Sequence, residues 1–477
     1  MTHWLPDIAR RTGPRYRAIA EAITDDIQAG RLAVGTRLPT HRDLAWRLGM
    51  TVGTVTRAYK EVTARGLVDG EIGRGTFVRD PRTHGWGRNR ETDPAPAGMD
   101  SPAAGPVNTS PVDMGLNFPT EMAETEAALK TTLAEIVADP RDLSLGDYDT
   151  NGGRRAHRAA FAKWIAAGGV PATAETTLVT AGAQHAISSA LQAMTEPGDV
   201  VLCDPLTHPG FVGVASTLRL RTVGVEWDAD GMAPDALDAA IRHQRPKALF
   251  LIPTVHNPTT VTFSETRRRE LARVIEHHGL PVIEDDLYRP YADGDVPPSM
   301  AAFAPDFVLY LTSASKHLSP GLRVGALHMP PRLRPRGRAA IRDTIWMTAP
   351  LCVEVAVRWL ADGTAERLRA GKRRAQQARV AEARRLLGTM VSIDADASPH
   401  AWLHVPGAWD SSDAAAALLE QGVVTTAGVV FAPQGGAGRG NLRLALGRPS
   451  SLEETAVGLQ IIAETLRSGG IENRAFM

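Results

Sequence analysis

The chain has 477 residues, of which 43% are hydrophobic and 22% are charged, as is ordinary for a globular protein in water. Its 53 basic and 53 acidic residues cancel, so the whole chain has no charge bias toward nucleic acid or membranes. Cys203 and Cys352 show neither metal-ligand spacing nor a disulfide framework, and no apolar run is long enough to cross a bilayer. Since the start also lacks a signal-peptide pattern, we expect a cytoplasmic protein.

The first 80 residues predict a small helical unit that carries 13 basic and 9 acidic side chains. Apolar spacing and stop signals place its helices over 16–28, 41–48 and 52–64. Thr40 and Thr51 can cap the second and third helices, and Gly49 makes the tight turn between them. This geometry is a helix-turn-helix, and two short strands around residues 73–75 predict a β-hairpin wing. Spacing alone nevertheless favours a plain helical bundle.

The same segment resembles the winged-helix domain of GntR-type regulators over residues 14–79. The matching pieces are Leu38-Pro39-Thr40, Arg42, Leu44-Ala45, Leu48-Gly49, Thr54-Val55, Ala58-Tyr59 and residues 73–78. The resemblance implies DNA contacts from the helix pair and the wing, at Arg42, Thr51, Thr54, Arg74 and Gly75. Val52 stands where relatives often carry arginine, and valine cannot bond guanine bidentately, so we expect a shift toward Arg57 or a thymine methyl group. A solvated surface charge explains Arg57 equally well.

Residues 80–112 are rich in proline and glycine and predict an extended linker, which leaves residues 113–477 as the body. The body alternates predicted helices, over 183–194 and 266–277, with predicted strands, over 200–203, 248–252, 281–283 and 308–311. This alternation predicts a doubly wound α/β layer whose ligands bind beyond the carboxyl ends of the strands. A smaller α+β subdomain is expected from about Leu351. The basic run Arg367–Arg385 is expected to be an amphipathic helix with a solvated face.

Several strand ends in the body carry polar residues of related chemistry. The segment LYLTSASKHLSPGLRVGALHM places Lys316 after a strand, between Ser313 and Arg323. A lysine there can form a Schiff base with an aldehyde cofactor, and the hydroxyl and guanidinium suit its phosphate. In PVIEDDLY, Asp285 ends a buried strand, where a carboxylate can keep a pyridine nitrogen protonated. Asn257, before a proline, can bond a ring hydroxyl.

Each of these signals has a plain structural explanation when taken alone. A single lysine in a loop is usually solvent-exposed, Asn257-Pro258 is a turn, and Gly182-Ala183 in VTAGAQHAI is a helix start that can also seat a phosphate. Their order and approximate spacing together carry the information.

This pattern resembles the fold-type-I aminotransferase family over residues 113–471. The resemblance implies pyridoxal 5′-phosphate as cofactor, with Lys316 as the internal-aldimine lysine and Asp285 as the partner of the pyridine nitrogen. Asn257 and Tyr288 would hold the ring oxygen. The phosphate would be held by Gly182, Ala183, Ser313 and Arg323. Tyr148 matches a tyrosine that reaches the phosphate of the other subunit, and Arg443 matches the arginine that clamps a substrate carboxylate.

Two positions depart from the family pattern. His208 stands where relatives stack an aromatic ring on the cofactor, and we expect its charge to follow pH. Thr260 replaces a glycine that is common after Asn-Pro-Thr, which we expect to tighten that turn. Neither change removes a group needed to bind the cofactor.

A GntR-like winged helix followed by an aminotransferase-like body is the arrangement of MocR-type regulators, which the whole chain resembles. The resemblance implies a transcriptional regulator that binds double-stranded operator DNA as a head-to-tail homodimer. A small amino compound would displace Lys316 and shift the DNA-binding heads. Two alternatives stay open. Arg443 and an intact site fit a working aminotransferase that transfers an amino group to a 2-oxo acid, and a sensor of pyridoxal phosphate itself would need only Lys316.

Overall fold

The computed structural model describes residues 4–8, 14–33, 35–64, 67–71, 75–78, 111–139, 147–292, 294–407 and 409–468. The chain divides into two compact units, Met1–Asp93 and Pro94–Met477. Within the described ranges, no helix is long and apolar enough to span a bilayer. The same ranges contain no group of three or more His, Cys, Asp or Glu side chains that could hold a metal ion.

The N-terminal unit is the predicted winged helix-turn-helix. Its elements are α1 (Arg15–Gln28), α2 (His41–Arg47), α3 (Val52–Ala64), β1 (Val68–Glu71) and β2 (Gly75–Val78). Thr40 and Thr51 cap α2 and α3 as expected, since their hydroxyls accept the backbone N–H groups of Asp43 and Thr54. The two strands pair antiparallel, and residues 72–74, between them, lie outside the described residues.

One apolar cluster holds the three helices of this unit together. Ile19 and Ile23 of α1, Leu44 of α2 and Val55 of α3 are completely buried in it. The Tyr59 hydroxyl donates to the carbonyl of residue 39 at 2.8 Å, which ties α3 to the segment before α2. The angle between α2 and α3 is therefore held by burial on both helices and not by the turn alone.

The body alternates strands and helices. Its strands are β3 (Val112–Asp113), β4 (Thr177–Thr180), β5 (Val200–Cys203), β6 (Arg221–Gly224), β7 (Trp227–Asp228), β8 (Gly231–Met232), β9 (Ala248–Leu251), β10 (Val282–Asp285), β11 (Val308–Ser313), β12 (Gly325–His328), β13 (Val391–Ser392), β14 (His400–His404), β15 (Val423–Val424), β16 (Thr426–Ala427) and β17 (Asn441–Ala445). Its helices are α4 (Ala123–Ala138), α5 (Arg155–Ala166), α6 (Ala183–Met194), α7 (Pro209–Thr217), α8 (Pro234–Gln244), α9 (Glu265–His278), α10 (Arg334–Ile345), α11 (Pro350–Ala361), α12 (Thr364–Leu387), α13 (Ser411–Glu420) and α14 (Leu452–Ser468).

Seven strands form the large sheet in the order β4-β12-β11-β10-β9-β5-β6. Strand β12 pairs antiparallel with both of its neighbours, and the other pairs in the sheet are parallel. Helices cover both faces through two apolar clusters, which explains why strands such as β9 and β10 are buried along their whole length. The predicted α/β fold with a parallel-dominated sheet is confirmed.

A smaller lobe forms around the four-stranded sheet β13-β14-β17-β16 and the pair β15-β3. Val112 pairs with Val423 there, so the last residue of the predicted linker lies in this folded lobe. Val353 and Trp359 of α11, in contrast, pack in the core of the large sheet. The lobe's own apolar cluster contains Met114 and then residues from Val380 of α12 onward, so its α12 part starts later than the predicted boundary near Leu351.

The predicted basic helix is present as α12, but some of its basic side chains are buried and do not face solvent. Lys372 and Arg379 are 2% and 4% exposed. Lys372 donates to the carbonyl of Thr120 at 3.1 Å, and Arg379 donates to the carbonyls of Leu446 and Pro449. These two cations therefore hold the lobe together from inside, because a buried cation needs acceptors that replace water.

A buried ion pair braces the segments next to the strand ends. Arg268 is fully buried, and its guanidinium donates to the carbonyls of Pro253 and Phe263 and to the Thr254 hydroxyl. Its Nη1 lies 3.8 Å from Glu284, which is also fully buried and directly precedes Asp285. Burial raises the pKa of Glu284 to about 7, and the positive charge of Arg268 opposes that rise.

We predict that Arg268→Met destabilises the body by about 3–5 kcal/mol, because it leaves Glu284 and several buried acceptors without their cation. Arg269→Met is the matched control, since Arg269 is exposed and its two contacts, the ion pair with Glu265 and the Phe303 ring 4.5 Å away, are each worth at most about 1 kcal/mol. Urea unfolding followed by circular dichroism measures both changes. Equal losses for the two variants would contradict the bracing role.

Candidate functional site

Polar residues from neighbouring strands meet at one edge of the large sheet. Parallel strands β9, β10 and β11 end at this edge, and β4 ends there too because β12 runs antiparallel between β4 and β11. The residues delivered there are Gly182 after β4, Asn257 after β9, Asp285 at the end of β10, Ser313 and Lys316 at the end of β11, and Arg323 before β12. Arg443 of β17 joins them from the small lobe by its hydrogen bond to Asn257, and we call the place where these residues meet the cleft.

The amine of Lys316 lies inside this cleft. Its Nζ donates to the carbonyl oxygen of Asn117 at 2.5 Å and lies 5.9 Å from the centre of the Tyr288 ring. Burial lowers the pKa of Lys316 to about 8, and the positive charges of Arg443 and Arg323 act in the same direction. A lysine in this state has a usable neutral fraction near pH 7, which makes it a nucleophile toward an aldehyde.

Asp285 is the buried carboxylate of the site, with 5% of its surface exposed. Burial raises the pKa of Asp285 to about 7, while a hydrogen bond from the Leu287 N–H and the charge of Lys316 oppose the rise. A carboxylate that lacks solvent in this way is stabilised by a cationic N–H group placed against it.

Arg443 reaches the cleft from β17. Its Nη1 donates to the Asn257 side-chain oxygen at 3.2 Å, and its Nη2 donates to the carbonyl of Gly115 and to the Thr426 hydroxyl. Burial lowers the pKa of Arg443 to about 10, which leaves it cationic at neutral pH. Its buried Nε has no partner among the described residues, so the guanidinium has a donor left for an anionic ligand.

Asn117 and His400 are site residues that the sequence analysis missed. The Asn117 amide donates to the Tyr288 hydroxyl at 3.0 Å and lies 3.1 Å from His400 Nδ1. The Tyr288 and His400 rings meet edge-on with centres 5.3 Å apart. Both residues lie outside any motif, since one follows the linker and the other begins β14, and only the tertiary fold brings them beside Tyr288.

The opposite end of the cleft can bind an anion. Gly182 has φ 87°, and an added Cβ would lie 2.9 Å from Arg323 Nη2, so the arginine crosses directly over this glycine. Gly182 is the N-cap of α6 and offers no side chain to the first-turn N–H groups. Helix α6, which begins at Ala183, therefore presents a positive helix end without a side-chain cap beside a guanidinium.

Ser313 lies beneath this end of the cleft. Its hydroxyl is completely buried, donates to the carbonyl of Val324 at 3.1 Å and lies 2.9 Å from the hydroxyl of Ser315. Ser315, which the sequence analysis did not single out, is the less buried of the two. The pair gives this loop two linked hydroxyl groups.

The two departures from the family pattern have local explanations. His208 caps α7 with its ring against Gly210, and burial lowers the pKa of His208 to about 3 with help from Lys316 and Arg443. The expectation that its charge follows pH is therefore wrong near neutrality, where the ring is neutral. Thr260 has φ 70°, a strained value for threonine, and its hydroxyl accepts the Asp394 N–H at 3.1 Å.

Tyr148 is not in the cleft with the other predicted residues. It is 77% exposed, and its ring lies 5.5 Å from that of Trp346. Asn151 donates to the carbonyl of Trp346 at 2.7 Å, which fastens the Tyr148 loop to the end of α10. This tyrosine is thus held outward on the surface of the body.

In the N-terminal unit the predicted DNA contacts are partly accessible. Arg42 is exposed on α2, and the hydroxyls of Thr51 and Thr54 lie 2.9 Å apart at the start of α3. Arg57 lies over the Tyr16 ring at 4.0 Å, a contact that supports the surface-charge interpretation. Gly75 begins β2, and Arg74 lies outside the described residues. Sequence analysis missed Trp46, which is 83% exposed on α2.

Comparison with known families divides the chain in the same way. The profile of the aminotransferase class I and II family matches residues 111–459, and the profile of the gntR family of bacterial regulatory proteins matches residues 15–78.

Proteins that match this chain over most of its length are named as bacterial regulators. The uncharacterized HTH-type transcriptional regulator YdeF of Bacillus subtilis is 29% identical over 463 residues, which cover 97% of this chain and 96% of that protein. The probable rhizopine catabolism regulatory protein MocR of Rhizobium meliloti is 25% identical, over 80% of this chain and 79% of its own.

The body also has solved structural relatives. The α-aminoadipate aminotransferase LysN of Thermus thermophilus, complexed with N-(5′-phosphopyridoxyl)-L-leucine, superposes with a TM-score of 0.68 at 25% identity. The match covers 75% of this chain and 92% of LysN.

We predict that capture of pyridoxal 5′-phosphate by the cofactor-free protein accelerates about tenfold per pH unit up to pH 8 and then levels off. At a pKa of about 8, the neutral fraction of the Lys316 amine grows with pH in this way until the amine is mostly deprotonated. Stopped-flow absorbance measures the rate.

Arg443→Leu should move the plateau to higher pH, since it removes a positive charge that lowers the pKa of Lys316. Arg439→Leu, at a position that is largely exposed before β17, is the control and should leave the plateau in place. A rate that does not vary between pH 6.5 and 8 would refute the assignment.

Proposed function

Since the chain belongs to the aminotransferase class I and II family and carries a gntR-family DNA-binding domain ahead of it, we propose that it is a MocR-type transcriptional regulator. In this proposal it binds pyridoxal 5′-phosphate at Lys316 and responds to an amino compound. The observation that carries the proposal is the presence of both units in one chain, in the same order as in YdeF over almost its whole length.

The cleft residues fit the cofactor group by group. When bound, pyridoxal 5′-phosphate would supply an aldehyde carbon at which another primary amine can replace the amine of Lys316. The lowered pKa of Lys316 suits it to hold that carbon, and buried Asp285 would accept the pyridine N–H. Gly182, Ala183, Ser313 and Arg323 would hold the phosphate, while Asn257 and Tyr288 would hold the ring oxygen, with His208 over the ring.

The effector in this proposal is a small amine that carries a carboxylate or another acidic group. Arg443 supports this class, because a buried guanidinium with an unused Nε beside the lysine is suited to a planar anion. Its present partners are the carbonyl of Gly115, the Asn257 amide oxygen and the Thr426 hydroxyl, all neutral, and an anion would compete with them.

A working aminotransferase is the second candidate. The observation in its favour is that Lys316, Asp285 and Arg443, three groups expected in amino-group transfer, all lie in the one cleft. The thermophilic LysN shares the fold at 25% identity. Turnover separates the two candidates, because a regulator needs only a change in DNA affinity.

On the DNA side, the helix pair α2–α3 would dock in the major groove, with Arg42, Thr51, Thr54, Arg57, Arg74 and Gly75 as proposed contacts. The target is double-stranded operator DNA, which would place the protein in the cytoplasm. Arg57 lies over the Tyr16 ring, which favours its interpretation as a surface charge over that of a base contact.

We predict that a carboxylate-bearing amine changes the cofactor absorbance of the protein without steady production of a 2-oxo acid. The amine should also change the affinity of the protein for DNA taken from upstream of its own gene, by about 5- to 150-fold. Lys316→Ala should abolish both responses and keep the winged helix folded and DNA-competent. Absorbance spectra and fluorescence anisotropy with labelled DNA measure the two properties.

The alternatives give different results in the same assays. Multiple-turnover amino transfer to a 2-oxo acid, with DNA affinity unchanged, would establish the enzyme and reject the regulator. DNA affinity that responds to pyridoxal 5′-phosphate but to no amine would establish a cofactor sensor. Lys130→Ala, on an exposed turn of α4, is the control for loss of a lysine.

We further propose a head-to-tail homodimer in which Tyr148 of each subunit completes the phosphate site of the other. The outward position of Tyr148 beside Trp346 supports this arrangement, since the side chain is 77% exposed and fastened away from its own cleft.

Tyr148→Phe should weaken cofactor binding about 10- to 100-fold, which is the loss expected for one hydrogen bond to a charged group. Mixed dimers give the decisive test. One Tyr148→Phe subunit paired with one Lys316→Ala subunit should regain one intact site per dimer, because Lys316 and Tyr148 then come from different chains. Mixed dimers without any tight site would contradict the shared site.

A further inference from the structure

Four groups form a hydrogen-bonded series behind the cleft, which we name the Asn117 relay. It runs from the carbonyl of His256 to the His400 ring, to the Asn117 amide and to the Tyr288 hydroxyl, with successive distances of 3.0, 3.1 and 3.0 Å. His400 is completely buried and Tyr288 is 5% exposed. Water is therefore largely excluded, so each group must donate where its neighbour accepts and accept where its neighbour donates.

The carbonyl of His256 fixes the tautomer of His400. A carbonyl oxygen can only accept, so Nε2 of His400 must carry a hydrogen to donate to it. Burial lowers the pKa of His400 to about 3, and the positive charge of Arg443 acts in the same direction. The ring is thus neutral near pH 7 and has one hydrogen, which leaves Nδ1 as an acceptor.

The tautomer of His400 in turn fixes the Asn117 amide. An acceptor at Nδ1 requires a donor opposite, so the NH₂ group and not the oxygen of Asn117 faces His400. The amide nitrogen has two hydrogens, and the second is donated to the Tyr288 hydroxyl oxygen. The oxygen of Tyr288 therefore accepts, and its own hydrogen is left for another partner.

We infer that Asn117 and His400 are positioning residues that direct the hydroxyl hydrogen of Tyr288 into the cofactor cleft. This inference rests on the proposed cofactor site, where the ring oxygen of pyridoxal 5′-phosphate would be the acceptor. Asn117 also receives the Lys316 amine on its backbone carbonyl, so one residue orients both the lysine and the tyrosine.

The relay crosses three separate parts of the body. Asn117 follows β3, Tyr288 follows β10 in the large sheet, and His400 begins β14 in the small lobe. Its members therefore meet only when the small lobe lies against the large one. The charged and titratable groups that face Tyr288 and His400 are Arg443, Lys316, Asp285 and His256.

The test is the pH at which the absorbance band of the lysine-bound cofactor changes. A hydrogen bond donated to the ring oxygen stabilises negative charge there, so the proton between this oxygen and the lysine nitrogen is lost at a lower pH. Loss of the donor therefore raises the pH at which the band changes. We expect Tyr288→Phe and His400→Leu each to raise the midpoint by about one pH unit or more. His400→Gln should restore it, since glutamine can both accept from Asn117 and donate to His256.

A second variant covers the case in which His400→Leu does not fold. Asn117→Asp keeps the shape but turns the donor into an acceptor that captures the Tyr288 hydrogen, so it should also raise the midpoint. His404→Leu is the matched control, because His404 lies on the same strand but is exposed and bonds Ser392 and Asn441. Its midpoint should equal that of the unchanged protein.

The double variant Tyr288→Phe with His400→Leu separates a relay from general disruption. A relay predicts no shift beyond that of Tyr288→Phe alone. Additive shifts, or an unchanged midpoint in His400→Leu and Asn117→Asp, would overturn the inference while leaving the cofactor site intact. Absence of any cofactor band in the unchanged protein would refute the proposed function, and the inference with it.

Discussion

Polar groups at the edge of the large sheet must be buried, and each needs a partner when water is removed. Lys316 donates to the carbonyl of Asn117, Arg443 donates to Asn257, and Asp285 accepts the N–H of Leu287. Burial lowers the pKa of Lys316, with the charge of Arg443 acting in the same direction, and burial raises the pKa of Asp285. A ligand with an anionic group and a cationic N–H group would supply further partners to Arg443 and Asp285.

The segment after the linker links the two lobes of the body. Val112 pairs with β15 in the small lobe, and five residues later Asn117 contacts Lys316 and Tyr288 in the large one. Gly115, between them, accepts from Arg443. A ligand that bound Lys316 or Arg443 would break their hydrogen bonds to Asn117 and Gly115. The segment that contains Gly115 and Asn117 directly follows the predicted linker in the sequence. Such coupling needs only differential contacts in two states.

Much of the fold and part of the site could be predicted from local signals. Helix α6 and strand β5 begin and end where the pattern places them, because caps and apolar periodicity act within a few residues. Lys316, Asp285 and Asn257 stand at strand ends, which parallel pairing brings to one edge. The start of the small lobe was harder to place, since α11 is apolar enough for either core and packs in the large one.

The sequence by itself determined which chemistry is available, since a lysine, a carboxylate and arginines at strand ends are chemical facts of the chain. Only the tertiary structure decided how those groups are tuned. Burial makes His208 neutral near pH 7, and packing places Asn117 and His400 against Tyr288 from distant segments. Desolvation and long-range hydrogen bonds depend on three-dimensional surroundings, and local sequence patterns do not encode them.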